Sequence, residues 1–213
     1  MKLMVTKAFH KYQEKLLDLR NTITDCNNII ISDNPTGFVY DNANFLTKSF
    51  LITLCGYLES YLKDVLEILI IDYNDRIKNE NYPYNLIRWS IENKDKSDSK
   101  VQTLLDKKKT RFENLEIKLK KKDLDSFISG NPFRTNDLFK MFGFELDKNE
   151  KFIQSREKIN LIVTKRNNIL HHNDSASDIS NSDILSYIEE IEIYSKNIDE
   201  QIESKVIDKT HCI

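Results

Sequence analysis

Two adjacent histidines close the segment Lys165-Arg166-Asn167-Asn168-Ile169-Leu170-His171-His172-Asn173. Histidine titrates near working pH, so it can take or give a proton in a reaction. Arginine carries a permanent charge and forked donors, which suit an oxyanion or a phosphate. The amide of Asn167 could orient a histidine or hold an oxygen. The chemistry these types support is acid/base catalysis with stabilisation of developing negative charge.

Each of these residues also has a plainer reading. Ile159, Ile162, Val163, Ile169 and Leu170 are spaced to form one apolar helix face, and Arg166 falls within it. A guanidinium there is costly unless it snorkels to solvent, pairs with a carboxylate, or faces a polar cavity or interface. His171 and His172 could simply sit exposed at a helix end, where the negative end of the dipole favours them. Glu59, three residues after Gly56 in an apolar stretch, is either a hydrogen-bond partner for Arg166 or a surface residue.

On an ideal helix, Arg166 and His171 point about 140° apart, whereas residues four apart, such as Asn167 and His171, share a face. Two arrangements would bring Arg and His to one phosphate. The helix loosens before His171, or the two side chains meet across a two-fold axis.

The elements that carry these residues read as helices. Apolar spacing predicts a first helix over 3–31, ended by Ser32-Asp33-Asn34-Pro35-Thr36-Gly37. A second, over 41–73 with Asp41 as N-cap, carries a wide stripe from Phe45 to Leu69 and is expected at the centre of the core. A charged helix over 100–129 has few apolar positions and stops at Gly130-Asn131-Pro132. A short amphipathic helix over 133–146, a helix over 150–172 and a last helix over 182–207 capped by Ser182 complete the set. The stretch 174–203 carries nine acidic residues and one lysine. The chain reads as a single helical domain over 1–213, with 74–149 as an inserted helical lobe.

Composition narrows the class. Of 213 residues only 4 are Gly and 3 are Pro, too few for the turns of a β-sandwich or a glycine-rich nucleotide fold. An all-α bundle of long antiparallel helices is expected. Cys26, Cys55 and Cys212 form no CxxC pair, so neither a zinc site nor a disulfide framework is expected. The longest apolar run, Ile68–Ile71, is far short of a membrane span, and no leader pattern follows Met1. A cytoplasmic protein without membrane contact is expected. With a net charge of −2, any nucleic-acid contact needs a local basic patch.

Arg166-Asn167-x-x-x-His171 resembles the R-x(4–6)-H motif of the HEPN superfamily. The likeness extends to Leu58-Glu59-Ser60-Tyr61-Leu62-Lys63 on a long apolar second helix, to a motif that closes a core helix, and to a polar loop before a last amphipathic helix. The middle segment with its Phe142-Gly143 turn is similar to the RiboL-PSP-type and related bacterial groups. The resemblance implies a metal-independent, cofactor-free endoribonuclease acting as a homodimer. RNA would supply its own 2′-OH nucleophile and leave 2′,3′-cyclic phosphate and 5′-hydroxyl ends. Arg166 would stabilise the phosphorane, His171 would act as acid/base and Asn167 would support it. His172 also fits the motif range. A toxin or phage-defence role is implied, with an antitoxin or sensor protein as controlling partner.

Lys107, Lys108, Lys109, Arg111, Lys118, Lys120, Lys121 and Lys122 place eight positive charges in sixteen residues. They either guide RNA or form a solvated face laced with Asp106, Glu113, Glu116 and Asp123. Tyr82, Tyr84 and Trp89 could stack bases or pack at the lobe junction. Two other functions fit the chain: a catalytically silent HEPN module that binds RNA, a nucleotide or a protein, and a helical interaction protein with an accidental motif.

Overall fold

A computed structural model describes residues 5–79, 117, 119–125, 127–172 and 178–206, without the side chains of residues 78, 79 and 172. Among these residues the regular structure is helical, with no strand. The α-helices are α1 (Lys7–Ile30), α2 (Phe38–Asp41), α3 (Ala43–Asn79), α4 (Pro132–Met141), α5 (Glu150–His172) and α6 (Asn181–Glu203). The chain divides into two compact units, Met1–Leu66 with Lys121–Ile213, and Glu67–Lys120. Residues 121–149 of the expected lobe group with the first unit.

The first unit is built on the apolar faces of its helices. α6 packs against both α1 and α5. Leu51, Leu54, Leu58, Tyr61, Leu62 and Val65 of α3 are fully buried, as are Ile184, Ile188, Ile191, Tyr194 and Ile198 of α6. Tyr61 stands edge-on to Phe9 and Tyr12, with ring centroids 6.1 Å apart in each case. Its hydroxyl donates to the Ser195 carbonyl at 2.9 Å, so a buried polar atom is satisfied at the α3–α6 seam. Asp199 on α6 accepts from the Thr6 amide at 2.9 Å and the Thr6 hydroxyl at 2.5 Å, which ties the start of α1 to α6.

Several expectations need correction. Asp41 does not cap the long helix. Gly37, at φ +87°, lets the chain turn into α2, and Asp41 is the last residue of that short helix. Phe45 of the expected stripe is 63% exposed. The cap of α6 is Ser180, not Ser182. Ser180 accepts from the Asp183 amide while Asp183 accepts from the Ser180 amide, a reciprocal box. Three residues after Ser182 stands Leu185, whose side chain has no oxygen to return that bond. The described part of the expected 100–129 helix is not α-helical; it holds a single 3-10 turn at Lys121–Leu124. Sparse apolar side chains give such a segment little packing to hold a helix.

Candidate active site

The site is built where α3 and α5 meet inside the first unit. Cys55 and Glu59 lie four apart on α3 and therefore on one face. Arg166 and Asn167 lie near the end of α5. The Arg166 side chain is only 15% exposed and the Glu59 side chain 29%. Arg166 Nη2 donates to Glu59 Oε1, and Arg166 Nη1 donates to Asn167 Oδ1 at 3.1 Å. Of the two readings of Glu59, the structure has it as the partner of Arg166. The pair answers the cost of placing a guanidinium in an apolar stripe.

Cys55 is fully buried beside this pair. Burial pushes its thiol up to about 11, against the pull of the neighbouring Arg166 charge and hydrogen bond. Burial thus favours the neutral thiol at the wall of the site. Sequence reasoning passed over Cys55, although its spacing from Glu59 was the available signal.

His171 is exposed. α5 stays α-helical through His172, so the loosened-helix arrangement is not present. Arg166 faces Glu59 across the α3–α5 seam while His171 reaches solvent from the same helix. Ile159, Ile162 and Val163 of the α5 apolar face are buried, but Leu170 is 48% exposed. Val163 is the last buried position of the stripe, and Ile169 is already half-buried. The side chain of His172 lies outside the described residues.

Lys165 pairs with Asp178, which raises the lysine and lowers the carboxyl. A further contact was not visible from spacing. The Gly130 amide donates to Glu59 Oε1 at 3.3 Å, bringing the Ser129–Asn131 turn to the site.

Of the expected basic patch, Lys107, Lys108, Lys109, Arg111 and Lys118 lie outside the described residues, as do Tyr82, Tyr84 and Trp89. Lys120, Lys121 and Lys122 are exposed. Lys121 pairs with Asp64, which also pairs with Lys11 at 2.7 Å. Among the described residues no helix is long and apolar enough to cross a membrane, and no group of three or more His, Cys, Asp or Glu side chains could hold a metal ion.

The arrangement offers a shielded, oriented cation and, pointing elsewhere from the same helix, an exposed histidine. Residues 14–204 match the model of a family described as RiboL-PSP-HEPN. Neither the curated proteins nor the solved structures give a significant match.

Proposed function

Because the chain belongs to the RiboL-PSP-HEPN family, we propose that it is a metal-independent endoribonuclease that works as a homodimer. The observation that carries this reading is the Arg166 guanidinium, oriented by Glu59 and Asn167 at the end of the helix that bears His171. In the proposed reaction, neutral His171 takes the proton of the RNA 2′-OH. The 2′-oxygen attacks the adjacent phosphorus, and the bond from phosphorus to the 5′-oxygen breaks. The 5′-oxygen leaves with the proton now carried by the same His171 in its imidazolium form. Arg166 donors stabilise the charge gathered on the phosphorane oxygens.

The divergence of Arg166 and His171 on a continuous helix supports the dimer. Two motifs facing across a two-fold axis place the arginine of one protomer near the histidine of the other. A cytoplasmic toxin or defence effector held by an antitoxin or sensor protein follows from such an activity, since free RNA cleavage would harm the host cell.

The test is cleavage of total tRNA and a defined single-stranded RNA in EDTA, with product ends mapped. The parent protein is expected to leave 2′,3′-cyclic phosphate ends. Arg166→Ala and His171→Ala are each expected to lower the rate by about a hundredfold or more, while His172→Ala stays active. One observation favours a second reading, a catalytically silent binding module: two Arg166 donors are already engaged by Glu59 and Asn167. RNA bound but never cleaved by the folded dimer would select it.

A further inference from the structure

Glu59 Oε1 serves two donors, the Arg166 guanidinium and the Gly130 amide. A carboxylate held by one partner can still swing about its last torsion. A second donor on the same oxygen removes that freedom and fixes the direction from which Arg166 is held.

Gly130 can do this because it has no side chain. It is buried, and a Cβ there would lie 3.0 Å from Val163 Cγ2 and 3.5 Å from Leu58 Cδ2. Leu58 directly precedes Glu59, and Val163 lies three residues before Arg166 on α5. The turn is thus wedged between the two helices that carry the ion pair. Asn131 locks it there. Its amide nitrogen donates to Asn160 Oδ1 on α5 at 3.1 Å. Its amide oxygen accepts from the Phe133 and Arg134 amides at 3.0 and 3.2 Å, capping α4. Sliding the turn would break the cap as well as the bond to Glu59.

We propose that Gly130 is a positioning residue: its peptide N–H holds the Glu59 carboxylate, through which it orients Arg166 for the reaction, and Asn131 keeps the turn in place. The inference rests on the nuclease reading for its effect on rate, but not for its effect on the Arg166 side chain.

The experiment compares the full-length parent, Gly130→Ala, Val163→Ala and the double variant, with melting temperature as a check of folding. Rates on single-stranded RNA are measured beside nitrogen–proton NMR spectra of the arginine side chains, with Arg166 assigned through Arg166→Lys. Gly130→Ala pushes its methyl against Val163 Cγ2. It is expected to lower kcat about tenfold with KM within about twofold, and to broaden or shift the Arg166 signals. The double variant removes the clashing methyl and is expected to return both readouts toward the Val163→Ala values. A folded Gly130→Ala protein with parental kcat and parental Arg166 signals would overturn the proposal. So would a double variant that recovers neither. If the parent cleaves no RNA, the nuclease reading fails alone, and the Arg166 signals still decide whether Gly130 positions the guanidinium.

Discussion

Cys55 shows how one buried atom shapes the chemistry around it. Its thiol lies against a guanidinium, a setting that elsewhere would make a reactive thiolate. Burial outweighs the nearby charge, and the group stays protonated with its pKa pushed up to about 11. Native protein treated with a thiol reagent at pH 8 is therefore expected to remain unlabelled at Cys55 until denaturant is added, as read by peptide mass spectrometry. Labelling of Cys55 in the folded protein at the rate of a free thiol would contradict this. The same shielding strengthens the Arg166–Glu59 pair, since a partly buried ion pair is screened less than a surface pair.

Among the helices, α6 depends most visibly on its two ends. Its start is closed by the reciprocal Ser180–Asp183 box. Ser180→Ala is expected to cost about 1 kcal/mol. For a chain of this size that is a fall in Tm of about 2–4 °C, measurable by calorimetry. Near its other end, Asp199 is 1% exposed. Burial pushes its carboxyl up, Thr6 and Tyr61 donors pull it back, and Glu203 adds to the rise. A raised carboxyl makes a contribution to stability that is complete below the ordinary aspartate range and is lost as pH rises through the folded value. Asp199→Asn is neutral throughout. The Tm of that variant minus the Tm of the parent is expected to grow as pH is raised from the acid range toward neutrality. A difference that stays flat with pH would show that Asp199 ionises as it does in the unfolded chain.

For the molecule as a whole, the nuclease proposal turns on the subunits from which Arg166 and His171 would reach one phosphate. Under the dimer proposal, Arg166→Ala and His171→Ala are each inactive alone but complementary when mixed. Random exchange makes half the dimers mixed, and each mixed dimer retains one intact site of two. About a quarter of parental activity is expected to return in an RNA-cleavage assay after subunit exchange. No recovery after exchange, with mixed dimers verified by mass spectrometry, would place Arg and His of the same protomer in one site.

Much of this was readable from residue order. Periodic apolar positions marked α1, α3, α5 and α6, because a helix that buries a stripe must repeat it near every third or fourth residue. Few glycines and prolines spoke against a β-sandwich or a glycine-rich nucleotide fold, and the arginine–asparagine–histidine spacing marked the motif. Boundaries were less legible. The α6 cap turned on whether a returning oxygen stood three residues on, and the lysine-rich stretch before Gly130 had charge without a stripe. Three facts needed the folded chain: that Arg166 meets Glu59, that Cys55 lies against both, and that Gly130 wedges beneath them. These contacts join the 55/59 face of α3 to positions 130 and 166, and no local pattern relates stretches so far apart. They exist because α3 and α5 pack closely enough that a site without a side chain, and a charge without water, must each find a partner across the seam.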